Sequence, residues 1–142
     1  MKNVTRALLL ATIVPALFTA GAAQAAGISD DSYKAQKDSI EAQYDTDKKN
    51  CEQMSGNQKD VCVAQIKGKE KVAKARLEAE KSPTPKTQQD YAVAKAEADY
   101  DVAKAQCDAQ QGDAKDTCEK AAKDAYKAAE STAKMRMGSE NQ

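Results

Sequence analysis

The residues with the strongest intrinsic chemistry in this 142-residue chain are four cysteines, Cys51, Cys62, Cys107 and Cys118, in a sequence that contains no histidine. A cysteine can act as a metal ligand, a nucleophile, a redox couple or half of a disulfide, and its spacing from other reactive groups separates those roles. Ten residues lie between the two cysteines of each pair, so no Cys-x-x-Cys is present to form half of a tetrahedral zinc site or a redox couple. The lack of histidine removes the usual serine or cysteine triad and the imidazole proton shuttle. No nucleophile-base pair and no glycine-rich phosphate loop is visible. Asp45 and Asp101 each follow a tyrosine and could be read as a ligand pair, but carboxylates are abundant and solvation on a helix surface is the expected role. The chain is therefore expected to be no enzyme and to use no cofactor or metal, leaving disulfide formation as the cysteine chemistry.

Disulfides depend on compartment. Lys2 and Arg6, the mostly apolar run from Ala7 to Ala20 and the small residues of Ala23-Gln24-Ala25 read as a signal peptide over residues 1–25. Pro15, Gly21 and Gln24 shorten its strongly apolar part below the roughly 20 residues that a spanning helix needs. The first cysteine, Cys51, is too distant to carry a lipid anchor at the cleavage site. The expectation is export to a bacterial periplasm with no stable membrane span after processing, where an even cysteine count favours disulfides. The mature chain would carry 20 basic against 22 acidic side chains, so nucleic acid is not an expected partner.

Beyond residue 25 only nine Ile, Leu and Val remain, with no Phe, against 21 Ala. A large core with a deep pocket is not expected, and the helix propensity of Ala and Lys must substitute for part of the missing apolar area. What organises the chain is a duplication at an offset of 56 residues: Tyr44, Asp45, Lys48, Cys51, Gly56, Lys59, Asp60, Cys62 and Lys67 recur as Tyr100, Asp101, Lys104, Cys107, Gly112, Lys115, Asp116, Cys118 and Lys123.

Each copy carries the punctuation of helix, tight turn and helix. Gly56 suits a left-handed position past a helix end, Asn57 is expected to cap the next helix, and Asp60 completes a capping-box-like pair; Gly112, Asp113 and Asp116 repeat that pattern. The apolar stripe runs Tyr33, Ile40, Tyr44, Cys51, Met54 before the first turn and Val93, Ala96, Tyr100, Ala103, Cys107 before the second. After the turns it continues through Cys62, Ile66, Ala73, Leu77 and through Cys118, Ala121, Ala122, Ala125, Ala129.

Cys51 lies five residues before Gly56 and Cys62 six after it, so on antiparallel helices both sit about 8 Å from the turn, level with one another. A disulfide needs Cα atoms about 5.5–6 Å apart. The geometry predicts Cys51–Cys62 and Cys107–Cys118, each stabilising by about 3 kcal/mol on the chain-entropy account. Charge agrees with this pairing: residues 30–54 sum to −3 and 59–81 to +3, while 87–110 sum to −3 and 115–137 to +2.

Ser82-Pro83-Thr84-Pro85 separates the copies, and Thr87 with Asp90 is expected to begin the third helix. The reading is all-α: hairpin 1 over 26–81, a proline-containing linker over 82–86, hairpin 2 over 87–137 and a frayed tail over 138–142. Two tandem disulfide-closed antiparallel hairpins pack as a loose four-helix bundle.

With these features in view, the chain resembles small exported proteobacterial proteins described as TolA-like cell envelope biogenesis proteins. The resemblance rests on Cys51-x4-Gly56-x2-Lys59-Asp60-x-Cys62 and its repeat Cys107-x4-Gly112-x2-Lys115-Asp116-x-Cys118. It implies a place in the cell envelope and no particular activity. The chain departs from TolA itself, with no retained anchor and no room for a separate carboxy-terminal receptor domain.

The leading functional expectation is a non-enzymatic periplasmic helical protein acting by structural or protein-protein contact with envelope or exported proteins. A second is a chaperone or stress protein holding unfolded clients, for which Tyr33, Tyr44, Tyr91, Tyr100, Tyr126 and the methionines would supply adaptable contacts. A third is a binder of peptidoglycan or lipopolysaccharide through the basic run Lys67, Lys69, Lys71, Lys74, Arg76, which Glu70, Glu78 and Glu80 interrupt.

Overall fold

The computed structural model describes residues 27–140, with side chains placed through Arg136; the expected signal peptide over 1–25 lies outside the described residues. Four helices account for most of them: α1 Asp30–Glu52, α2 Gly56–Lys81, α3 Pro85–Cys107 and α4 Gly112–Glu140. The protein is all-α, built as two disulfide-closed antiparallel hairpins, α1–α2 and α3–α4.

Local chemistry explains where the helices begin. The Ser29 side chain accepts a hydrogen bond from the Ser32 N–H at 3.3 Å, and Asp30 and Asp31 place negative charge in the first turn of α1, where the helix dipole is positive. At α3 the cap is Thr84: its hydroxyl accepts from the Thr87 N–H at 3.2 Å, while the Thr87 hydroxyl accepts from the Thr84 N–H at 3.0 Å. Pro85 occupies the first helical position, where its missing N–H costs nothing. Thr87 is thus the third residue of α3 and not its cap, and the link between hairpins shortens to 82–84. At the other terminus α4 runs to Glu140, so residues 138–140 are helical and not a frayed tail; 141–142 lie outside the described residues.

The helices pack only with their sequence neighbours: α1 with α2, α2 with α3, α3 with α4. The hairpins do fold onto one another, through α2 and α3, but the four helices form an open row, with α1 and α4 as its edges. This follows from the two middle helices, each buried on two opposite sides. On α2, the face bearing Ile66 and Leu77 meets α1, and the face bearing Gly68 and Ala79 lies two residues on, about 200° around the helix, toward α3. On α3, Ala94, Ala98 and Ala105 form the face toward α2, whereas Ala96 and Cys107 belong with Tyr100 on the face toward α4.

The α2–α3 crossing is set by Gly68. A Cβ there would lie 2.9 Å from the Ala98 Cβ, inside the distance at which carbon atoms can sit, so absence of a side chain fixes how closely the backbones approach. On α4 the inward face is Cys118, Ala122, Tyr126 and Ala133, while Ala121, Ala125 and Ala129 are exposed. In so alanine-rich a helix small residues leave the phase undetermined, and the bulky Tyr126 decides it. Met54 is 44 % exposed because α1 ends before reaching it.

Ion pairs span the first three helices. Lys81 pairs with Asp30, Lys74 reaches Glu41 at 3.5 Å, and Lys71 pairs with Glu97. The first two join the basic second helix of hairpin 1 to its acidic first helix, and the third joins the hairpins.

Candidate functional site

The two turns are built alike. Cys51 is joined to Cys62 with Cα atoms 5.5 Å apart, and Cys107 to Cys118 with Cα atoms 5.6 Å apart; no cysteine is free. Cys51 and Cys107 are fully buried, while Cys62 and Cys118 are half-buried. The Met54 N–H donates to the Cys51 carbonyl at 3.0 Å and the Gln110 N–H to the Cys107 carbonyl at 2.9 Å, closing each helix in the same way. Gly56 and Gly112 then turn the chain with φ of 55° and 57°, a left-handed conformation that glycine adopts without strain.

The residues after the glycines do not cap. Ser55 is the N-cap of α2 and makes no side-chain cap hydrogen bond. That position puts Asn57 inside the first turn, past the place from which a side chain can reach back to the free N–H groups. Its amide instead donates to the Ala105 carbonyl of α3 at 2.6 Å, tying hairpin 1 to hairpin 2 at the disulfide end. Asp60, Asp113 and Asp116 are all exposed. In hairpin 2 Lys115 pairs with Asp108 at 2.7 Å. Their hydrogen bond holds the Asp108 carboxyl below and the Lys115 ammonium above their ordinary ranges.

Other candidates are separated by the fold. Asp45 lies on α1 and Asp101 on α3, which do not meet, and among the described residues no group of three or more His, Cys, Asp or Glu is placed to hold a metal ion. The tyrosines do not form one surface. The Tyr33 hydroxyl donates to Glu78, which raises its pKa, with the Lys81 ammonium 4.9 Å from its ring centre. Tyr100 and Tyr126 meet with ring centres 5.4 Å apart. In the basic run, Lys71 pairs with Glu97, Lys74 with Glu70 at 2.7 Å and Arg76 with Glu80 at 2.7 Å, so much of its charge is compensated within the protein.

Hairpin 1 carries an open groove of about 290 Å³ between α1 and α2. Ile40, Tyr44, Ile66 and Ala73 form its apolar floor, and Asp47, Lys69 and Glu70 stand on its rim. Ile66 is buried, whereas Ile40, Tyr44 and Ala73 remain half-buried. A groove of this size is at the lower limit for small-molecule sites and suits a single side chain better than an extended substrate. The stripe Ile40, Tyr44, Ile66, Ala73 was legible in the sequence; Glu70 as its wall was not. Its signal lay in the repeat, where the counterpart of Glu70 is Tyr126.

These features define an all-α protein of two stapled hairpins with shallow surfaces. Compared with known protein families, with curated proteins and with solved structures, the chain matches none.

Proposed function

We propose that this is an exported, non-enzymatic helical protein that works by contact with other proteins in the bacterial cell envelope. The observation that carries the reading is the open row: two covalently closed hairpins present long helical faces and shallow grooves, a form suited to docking and poorly suited to enclosing a reaction. Two disulfides and the absence, among the described residues, of any helix long and apolar enough to cross a membrane are compatible with export. The internal pairing of Lys71, Lys74 and Arg76 favours protein contact over an anionic polymer surface.

The test is crosslinking in intact cells with mass-spectrometric identification of captured proteins. One dominant envelope partner supports the reading. A spread of unrelated unfolded exported proteins replaces it with the chaperone function, and sedimentation with envelope polymer in the absence of any protein partner overturns it.

A further inference from the structure

We propose that copies of this chain add to one another edge to edge, the α4 edge of one copy docking on the α1 edge of the next, so that the row of helices continues. The inference concerns contact of the chain with itself and goes beyond contact with other envelope proteins.

The inner seam supplies the template. Within the molecule, hairpin 1 meets hairpin 2 through α2 and α3. A shift of one repeat, 56 residues, turns α2 into α4, and the same shift backwards turns α3 into α1. A seam between α4 and the α1 of a second copy is therefore the repeat equivalent of the seam already present, and stacked repeats contact their neighbours through one recurring interface. Direction agrees as well. Neighbouring helices in the row alternate, so α4 runs opposite to α1 as α2 runs opposite to α3.

Charge agrees in register. Lys71 of α2 pairs with Glu97 of α3, and their counterparts are Lys127 and Glu41. Lys67 and Asp101 line one hollow between α2 and α3, and their counterparts are Lys123 and Asp45. The Asn57 amide donates to the Ala105 carbonyl, and the counterparts there are Asp113 and Lys49. All six edge residues are exposed. Acid thus meets base at three levels of the seam, with the signs exchanged at the level nearest the turns, an arrangement that fixes register as well as attraction. Glu41 already lies 3.5 Å from Lys74 of its own hairpin, so Lys127 would share it.

One difference sets the strength. Gly68, which permits the close approach of α2 to Ala98, corresponds to Asp124, and Ala98 corresponds to Ala42. The Asp124 carboxylate is engaged by Lys120 at 2.7 Å, but its bulk keeps the edges farther apart than α2 and α3. A strip about 35 Å long and about 10 Å wide covers about 350 Å² of each copy. The total of about 700 Å² is well below the roughly 1,200 Å² of stable complexes, so the contact is weak and carried by charge. Because the two edges differ, the contact is head to tail and builds open rows that do not stop at a dimer.

The test is sedimentation equilibrium of the oxidised protein, residues 26–142, from about 0.05 to about 2 mM in low salt. The weight-average mass should rise with concentration and pass that of a dimer, and about 0.5 M salt should weaken association at least tenfold. Lys123→Glu with Lys127→Glu on α4, and separately Asp38→Lys with Asp45→Lys on α1, should each give a helical monomer. Mixing the two variants should restore association, because each then meets an edge of opposite charge; that recovery also shows that both are folded. A monomer throughout the range, association indifferent to salt, growth that stops at a dimer, association of either variant alone, or a mixture that stays monomeric would each overturn the proposal.

Discussion

The two hairpins share their turn, staple and helix order, and differ in what separates their helices. In hairpin 1 the space holds Ile40, Tyr44, Ile66 and Leu77, with ion pairs from Lys74 to Glu41 and from Lys81 to Asp30. In hairpin 2 it holds alanines and the Tyr100–Tyr126 pair, and α3 and α4 approach along more of their length than α1 and α2 do. Larger side chains hold helices apart; alanines let backbones close up, yet at the end away from its disulfide hairpin 2 keeps a concavity of about 570 Å³ between Pro85, Gln88, Tyr91 and Ala92 of α3 and Ala133 and Arg136 of α4. The repeated hairpins thus differ in side-chain bulk and in where a concavity remains, beside Tyr44 in hairpin 1 and beside Tyr91 in hairpin 2.

The largest test of this comparison removes a staple. Cys51→Ala with Cys62→Ala, or Cys107→Ala with Cys118→Ala, should each cost about 3 kcal/mol. With its apolar and ionic anchors, hairpin 1 should keep more helicity than hairpin 2 after the equivalent change, as read by circular dichroism. Next, Gly68→Leu should cost about 2–3 kcal/mol by forcing α2 from α3, since even one added carbon meets Ala98 at 2.9 Å. Chemical denaturation should then show two transitions in place of the single one expected of the parent, because the hairpins lose their shared interface. Gly56→Ala and Gly112→Ala should each cost about 1 kcal/mol, equally, because the left-handed turns are alike and nothing lies near either glycine.

The smallest effect is a pH dependence at the turn of hairpin 2. Asp108 has a lowered pKa through Lys115, so its contribution is present above the unfolded value of about 3.9 and is lost as pH falls through the lower folded value. Lys115 is raised, so its contribution is present below about 10.4 and lost as pH rises through the higher folded value. Asp108→Asn should flatten both limbs of the pH profile of hydrogen exchange around residues 107–118, leaving the first turn unchanged.

Helices, hairpins and cysteine pairing were legible because each rests on local signals: spacing of cysteines about a glycine, helix formers, and prolines between the copies. The second buried faces of α2 and α3 were not. Gly68, Ala79, Ala94 and Ala98 are small residues among many small residues, and only a close neighbour reveals that one face is buried. The phase of α4 was misread for the same reason, with Ala121, Ala125 and Ala129 outward and Tyr126 inward. Asn57 had a local role available and took a distant one, to Ala105 on the other hairpin, which depends on packing that short-range patterns do not encode.

That last bond has a mechanical consequence. Because the helices alternate in direction, both disulfides and the Asn57–Ala105 bond lie at one end of the row, while the 82–84 link and the Ile28 N–H bonded to the Glu80 carbonyl lie at the other. Helices of 23 to 29 residues put roughly 35–43 Å between those ends. Each hairpin is covalently closed at the disulfide end, whereas the two hairpins are covalently joined to each other only at the opposite end, through 82–84. Helices within a hairpin should therefore part first at the end away from their disulfide, and the hairpins should part first at the Asn57–Ala105 bond, so the row opens as a zigzag whose order is never released.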